Sequence, residues 1–144
     1  MVLSLALQLL IYEKLFCFSF SFRLRGSIFQ VPQAMSFKLF YTDYSKDEHV
    51  RSDEAKDATL EEVLECMNKL LHEPDNFIGL IDAEDTMLQF MVEDDGSICV
   101  DSPVDDKNGS FTKNATLKES VEIVQAIQTA INLDAIKGLQ FKKW

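Results

Sequence analysis

Hydrophobic and polar residues alternate with different periods along the chain, and each change of period predicts a new element. Residues 36–44, SFKLFYTDY, are rich in aromatic side chains and indicate a strand. Residues 45–58 have no apolar period and indicate a solvated loop. From Leu60 onward the apolar residues recur at helical spacing, which predicts an amphipathic helix that ends before Pro74. The core stripe of this helix comprises Leu60, Val63, Leu64, Met67, Leu70 and Leu71.

Two capping boxes mark the starts of two helices. The boxes are Thr59-Leu-Glu-Glu62 and Thr116-Leu-Lys-Glu119. In each, the Thr hydroxyl can accept a hydrogen bond from the backbone N–H group of the Glu, and the Glu carboxylate can accept one from the backbone N–H group of the Thr. The second box precedes another amphipathic pattern, which predicts a second helix. Its apolar positions are Leu117, Val121, Val124, Ile127 and Ile131.

Between the helices, three strands are predicted at about 77–82, 87–93 and 97–104. For the first hairpin, a four-residue loop at 83–86 would place Gly79 opposite Phe90. The Phe90 ring could then cover the bare backbone of Gly79. The same register would place Phe77 opposite Val92 and Ile81 opposite Leu88.

For the second hairpin, side-chain alternation favours a three-residue loop, Asp94-Asp95-Gly96. This loop places Phe90 opposite Val100, whereas a two-residue loop would place Phe90 opposite Asp101. Gly96 is then expected in the left-handed conformation of a bulge.

These registers assign the apolar residues to two faces of the sheet. The predicted core face carries Phe77, Ile81, Leu88, Phe90, Val92, Ile98 and Val100. The second face carries Ile78, Leu80, Met87, Met91 and Cys99 among Asp82, Gln89, Glu93 and Asp101. A solvated face is usually more polar than this. We expect the C-terminal tail or the second helix to cover it, and the alternative is a docking surface of adaptable Met side chains ringed by acids.

The order of elements predicts the fold class. The segment GSFTK, residues 109–113, adds a short strand before the second helix. The order strand-helix-strand-strand-strand-(strand)-helix predicts an α+β fold, with an antiparallel sheet of four to five strands and two helices packed on one face.

The first 34 residues differ in composition from the rest, with Glu13 as their one acidic residue. We expect residues 1–34 to be an apolar extension, either upstream translated sequence with Met35 as the natural start, or disordered. A signal or membrane anchor and a structural extension are the alternatives. Residues 35–144 are predicted to form a single α+β domain.

Net charge and cysteine content restrict the classes of ligand and the cell compartment that fit this chain. The formal net charge of -10 argues against nucleic acid as a ligand, since phosphate binding requires clustered Lys and Arg. An acidic surface of this kind favours a basic protein partner, and the alternative is that the charge only keeps the protein in solution. Three cysteines without a CxxC pair favour a reducing compartment, and we expect a cytoplasmic protein with no membrane contact unless residues 1–34 are an anchor.

No catalytic or metal-binding pattern stands out in the sequence. The acidic residues near 82–85 and 93–95 do not follow the EF-hand pattern and are expected to stabilise turns. No nucleophile–base pair and no Gly-rich phosphate loop is recognisable. We therefore expect a protein that is not an enzyme, without cofactor or metal. A carboxylate-dependent hydrolase remains an alternative, because Glu93 and Asp101 share a face.

The run NFIGLIDAEDTMLQFMVEDDGSICVDSPV, followed by GSFTKNATLKESVEIVQ, resembles a group of small bacterial proteins. They share F-x-G-L-x-D, L-Q-F, a D-G turn, V-D-x-P-V and a later G-S-F/Y. That group resembles the immunity proteins of bacterial polymorphic toxin systems, which bind and silence a cognate toxin. The resemblance covers residues 76–127 and implies no catalytic residue.

The resemblance implies a non-enzymatic toxin inhibitor. It would be steered by charge to a basic toxin and would occlude the active site of that toxin. We expect its contact surface to comprise Met87, Gln89, Met91, Glu93, Asp94, Asp95 and Asp101. Self-association as a homodimer through the same face is the competing hypothesis.

Overall fold

The computed structural model describes residues 35–144 of the chain. The strands are β1 (Ser36–Asp43), β2 (Glu48–Val50), β3 (Lys56–Thr59), β4 (Phe77–Ile81), β5 (Met87–Val92), β6 (Ile98–Val104), β7 (Gly109–Ala115) and β8 (Gln140–Lys143). The helices are α1 (Leu60–Leu70) and α2 (Leu117–Gln125). The expectation for residues 1–34 lies outside the described residues.

All the strands belong to one antiparallel sheet with the order β2-β1-β4-β5-β6-β7-β8, and β3 pairs with the same edge of β1 as β2. The predicted α+β class, with an antiparallel sheet and two helices, is confirmed. The predicted count of four to five strands is wrong, because the described part of the chain has eight. The predicted loop at 45–58 contains β2 and β3, whose largely exposed residues pair through the backbone and therefore need no apolar period.

Both helices begin at the capping boxes that the sequence predicts. At α1, the Glu62 carboxylate accepts a hydrogen bond from Thr59 N at 2.7 Å, and Thr59 Oγ1 accepts one from Glu62 N at 3.3 Å. Thr116 and Glu119 make the same reciprocal pair at α2, at 3.0 and 3.1 Å. The boxes thus satisfy N–H groups that would otherwise have no partner at each helix start.

One hydrophobic core lies between the helices and the sheet. Ile78 and Leu80 of β4 are fully buried in it, as are Val63 and Met67 of α1 and Val124 of α2. The chain beyond α2 contributes as well, since its apolar residues remain buried after the helix has ended. The remaining core residues are Phe37, Ala58, Leu71, Leu88, Phe90, Val92, Ile98, Val100, Ala115, Ile127 and Ile131.

The register of the β4–β5 hairpin differs by one residue from the predicted register. Ile78 lies opposite Phe90 and Leu80 opposite Leu88, so both β4 residues face the core. The loop has three residues, because Asp82 and Thr86 still pair across it and Asp85 adopts a positive φ of 60°. The predicted four-residue loop is therefore wrong. Since alternation has a period of two, the error exchanges the two faces of β4.

The faces of three further residues are corrected by the same shift. The predicted register places Phe77 and Ile81 on the core face, but they lie on the opposite face with Gly79. It places Asp82 on the second face, but Asp82 is buried at 6% exposure on the helix side.

The β5–β6 hairpin follows the prediction. Phe90 lies opposite Val100 and Val92 opposite Ile98. Glu93 N donates to Ser97 O across the loop, and Gly96 has a φ of 83°. The three-residue loop with a left-handed Gly96 is confirmed.

The Asp82 carboxylate joins the β4–β5 turn to the chain beyond α2. Its Oδ1 accepts hydrogen bonds from Glu84 N and Thr86 N, both at 2.9 Å, which close the turn. Its Oδ2 accepts one from Ile131 N at 2.8 Å. One buried side chain therefore fixes the turn and anchors the segment that follows α2.

The ring of Phe40 fills the space that Gly79 leaves at the centre of β4. The two residues are direct cross-strand partners, and a Cβ atom at Gly79 would overlap the Phe40 ring. Phe77 packs edge-on against Phe40 with ring centroids 6.3 Å apart. The expected cover of Gly79 by Phe90 is wrong, because Phe90 faces the core.

Gly79→Ala is expected to destabilise the protein by about 1–3 kcal/mol, because the added methyl group must displace the Phe40 ring. Urea unfolding of the two proteins measures the difference. The same substitution in a Phe40→Leu background should cost less, since the smaller side chain leaves room. An equal cost in both backgrounds would contradict the packing described here.

Asp82→Asn is expected to cost about 1–3 kcal/mol, since an amide has one acceptor oxygen where the carboxylate has two, and a buried N–H loses its partner. Amide hydrogen exchange at Ile131 should accelerate. Asp85→Asn is the matched control, because Asn also tolerates the positive φ, and its cost should stay within about 0.5 kcal/mol. Equal stability of the two variants would refute the anchoring role of Asp82.

Candidate functional site

The sheet face opposite the helices, called here the open face, is formed by the side chains of every second residue in each strand. One cross-strand row runs through β2 to β7 as His49, Thr42, Phe77, Met91, Cys99 and Asn114. The neighbouring row runs through β1 to β8 as Phe40, Gly79, Gln89, Asp101, Thr112 and Gln140. Ile81 and Met87 are paired in a third row.

The structure brings five of the predicted contact residues onto this face. Met87, Gln89 and Met91 alternate along β5, and Glu93 continues the alternation into the turn. Asp101 of β6 lies directly opposite Gln89. Because these strands rise by about 3.4 Å per residue, the row from Met87 to Glu93 is roughly 20 Å long.

The two remaining predicted contact residues, Asp94 and Asp95, lie in the β5–β6 turn rather than on the face. Asp95 Oδ1 accepts hydrogen bonds from Ser97 N at 2.9 Å and from Ser97 Oγ at 2.6 Å. These bonds lower the pKa of the Asp95 carboxyl, the side-chain bond most of all. Asp95 therefore stabilises the turn as a carboxylate, and Asp94 is exposed beside it.

Neither the helices nor the C-terminal strand covers the open face within residues 35–144. The helices pack into the core on the other side of the sheet, and β8 extends the sheet at its edge by pairing with β7. Met91 is 41% exposed. The expectation that the tail or the second helix covers this face is therefore wrong for the described residues.

Cys99 lies on the open face between two of the acidic residues. Burial is the main cause that raises the pKa of its thiol, and the charges of Glu93 and Asp101 raise it further, against a smaller opposing effect of Lys142. The pKa of Cys66, on α1, is raised to about 11, again mainly by burial. Since the thiolate is the reactive form, both thiols are poor nucleophiles at neutral pH.

A groove of about 680 Å³ adjoins the open face at the β1–β2 end of the sheet. Phe40, Thr42 and Phe77 of the open face are among its lining residues, and Phe40 is only 4% exposed. Its other lining residues are Asp43, Tyr44, Asp47, Glu48, His49, Val50, Arg51, Ser52 and Asp53. We call this site the edge groove. The groove is not among the sequence predictions, because the lack of an apolar period in residues 45–58 predicts only a solvated loop.

The open face also contains residues that the sequence interpretation missed. The predicted register places Phe77 and Ile81 on the core face, and the aromatic pattern of residues 36–44 predicts Phe40 only as part of a strand. Asp85 is the residue from which the correct face of Phe77 and Ile81 could have been predicted. An Asp can take the left-handed conformation, which makes DAEDT a three-residue turn like EDDGS and reverses the faces of β4.

In the part of the chain that the structure describes, no group of three or more His, Cys, Asp or Glu side chains is arranged to hold a metal ion. Over the same residues, no helix is both long and apolar enough to cross a membrane. Comparison with known proteins gave no match: no family model, no curated protein and no solved structure matches the chain.

Glu93→Gln combined with Asp101→Asn is expected to lower the pKa of Cys99, because both carboxylates raise it. A larger thiolate fraction should then be present at any pH below that pKa. The rate of alkylation by iodoacetamide, followed by mass spectrometry of the Cys99 peptide, should begin to rise at a lower pH than in the unchanged protein. The Cys66 peptide serves as the internal control, since its charged neighbours are Asp43, Glu65 and Lys69. An unchanged Cys99 profile would show that these carboxylates do not act on the thiol.

Proposed function

We propose that this chain is a non-enzymatic binding protein that contacts a basic protein through the open face. The specific form we propose is a cytoplasmic immunity protein that neutralises a bacterial toxin by occluding its active site. The observation that carries the proposal is the placement of Met87, Gln89, Met91, Glu93 and Asp101 side by side, on a sheet face that no described helix covers.

The residues that carry the sequence resemblance divide into two groups once their contacts are known. Gly79, Asp82 and Gly96 serve the fold, by close packing, turn closure and a left-handed turn. Gln89 and Asp101 lie opposite each other on the open face, and within residues 35–144 the Asp101 carboxylate accepts no hydrogen bond. The Gln89 amide donates to Met87 Sδ at 2.8 Å, so its side-chain bond lies within the open face and not in the core, which supports a role in binding.

The chemistry of the face suits a tight protein contact. Met side chains are flexible and polarisable, so Met87 and Met91 can adapt to the shape of a partner. Glu93 and Asp101 supply negative charge next to them, and the whole chain carries a formal charge of -10. Charge of this sign accelerates the encounter with a basic partner, whereas apolar contacts slow its release.

Co-expression with the product of the neighbouring gene tests the proposal, because immunity genes lie beside their toxins. We expect a stable complex, and we expect Glu93→Lys with Asp101→Lys to weaken it at least about tenfold, since like charges then meet across the contact. Isothermal titration calorimetry measures the dissociation constants. Glu84→Lys with Asp106→Lys is the matched control, because it changes the net charge equally at two exposed sites away from the face.

Two results would count against this proposal. Equal loss of affinity in the two double variants would mean that only net charge matters and that the open face is not the contact. Sedimentation of the full chain alone as a dimer, dissociated by the Lys substitutions at Glu93 and Asp101, would assign the face to self-association instead.

A further inference from the structure

The four methionines of residues 35–144 lie in four different environments. Met67 of α1 is fully buried in the core, and Met35 is partly buried and packs against that core. Met87 and Met91 both lie on the open face, where Met87 is half-buried and Met91 is 41% exposed. An oxidant in solution therefore reaches the thioether of Met91 more easily than that of any other methionine in this range.

The sulfur atoms of the two methionines on the open face also differ in their contacts. The Gln89 amide, which lies between them along β5, donates a hydrogen bond to Met87 Sδ at 2.8 Å. This bond occupies a lone pair of the sulfur, and a lone pair is what a thioether uses to attack an oxidant. Within residues 35–144, no side chain donates a hydrogen bond to Met91 Sδ. Exposure and hydrogen bonding thus both make Met91 the more reactive of the two.

The thiol next to Met91 is held in its less reactive form. Cys99 is the direct cross-strand partner of Met91 on β6. Burial raises the pKa of its thiol most, and the carboxylates of Glu93 and Asp101 raise that pKa further. Because peroxides oxidise the thiolate, these effects slow the oxidation of Cys99 near neutral pH. A thioether has no proton to lose, so its reactivity does not depend on such a shift.

Met91 lies where a polar group matters for binding but not for folding. It has Phe77 opposite it on one side and Cys99 on the other, in the middle of the cross-strand row. Conversion to the sulfoxide gives this apolar position a polar group and a new chiral centre. The side chain points away from the helices, whereas the neighbouring Phe90 and Val92 are buried in the core. Oxidation at this position therefore changes the surface and leaves the core packing intact.

We propose that Met91 is an oxidation site, at which hydrogen peroxide converts the thioether to the sulfoxide, and that this change weakens binding through the open face. A lone pair of Met91 Sδ attacks one peroxide oxygen, so a sulfur–oxygen bond forms as the oxygen–oxygen bond breaks. The departing hydroxide takes the proton of the transferred hydroxyl group, and the products are the sulfoxide and water. Sulfur loses two electrons and peroxide gains them. The effect on binding rests on the proposed function, whereas the site itself does not.

The direct test exposes the full chain to hydrogen peroxide at neutral pH and measures the sulfoxide at each methionine over time. Met87 and Met91 share the tryptic peptide that ends at Lys107, so fragment ions in tandem mass spectrometry assign the added oxygen to one or the other. We expect Met91 to be oxidised several-fold faster than Met87, and Met67 to be oxidised last. Oxidation of Met87, Met35 or Met67 as fast as Met91 would refute the site.

The binding test compares the affinity for the neighbouring gene product before and after peroxide treatment of this chain alone, with the peroxide removed before titration. We expect treatment to weaken binding at least about tenfold, since a polar group without a partner is then buried in an apolar contact. Met91→Leu conserves the volume without the sulfur, so its affinity should change little on treatment. Met87→Leu is the matched control and should lose affinity as the unchanged chain does. Each variant is compared with itself, so its untreated affinity does not enter.

Two controls show that the loss comes from the sulfoxide and not from damage to the fold. Methionine sulfoxide reductases for both epimers should restore the affinity, because each enzyme reduces one epimer. The urea midpoint of the oxidised chain should equal that of the untreated chain. A lower midpoint, or a loss that the reductases do not reverse, would count against a surface change at Met91.

The outcomes separate this inference from the proposed function. An equal loss of affinity in the Met91→Leu variant would assign the effect to another residue and refute the proposal. If the gene product binds the oxidised chain as tightly as the untreated chain, the oxidation proposal is wrong and the open-face proposal stands. If the gene product does not bind the chain, the immunity function fails, and the order of oxidation still decides whether Met91 is the site.

Discussion

The buried carboxylate of Asp82 is the constraint on which the arrangement of this sheet depends. Its two bonds to the turn hold a three-residue loop, and this loop sets the register of β4 against β5. A shift by one residue would move Ile78 and Leu80 out of the core and exchange both faces of the strand. The bond to Ile131 adds the chain beyond α2 to the same anchor, so turn, register and helix-side packing are stabilised together.

Fixing that register also determines what the other face of the sheet can present. With Ile78 and Leu80 directed to the helices, Phe77 and Ile81 must point away from them, next to Met87 and Met91. Gly79, between them, has no side chain, so the Phe40 ring packs directly over its backbone. The open face is therefore a direct consequence of how the core is filled, and the edge groove adjoins it beside Phe77, where β2 pairs with the edge of β1.

Local sequence signals predicted the elements that depend on neighbours in the chain. The capping boxes at Thr59 and Thr116 and the left-handed Gly96 involve residues a few positions apart, and all three are confirmed.

The strands β2, β3 and β8 were missed, because backbone pairing at an exposed edge leaves little trace in hydrophobic alternation. The edge groove could not be predicted for the same reason, since its walls and floor meet only when β2 and β4 flank β1. Five of the predicted contact residues nonetheless share one face, because alternation along β5 and the correct β5–β6 register place them there.

An uncovered sheet face with apolar residues carries a risk of self-association, which acidic side chains reduce. Met87 and Met91 are separated along β5 by Gln89, and Glu93 and Asp101 lie on the same face. Two copies meeting face to face would bring these carboxylates together, at a cost that increases as water is excluded. In the proposed function, a basic partner removes that cost by neutralising them. On that proposal, the same charges that oppose self-pairing favour a partner of opposite sign, so one surface feature both disfavours the wrong complex and selects the right one.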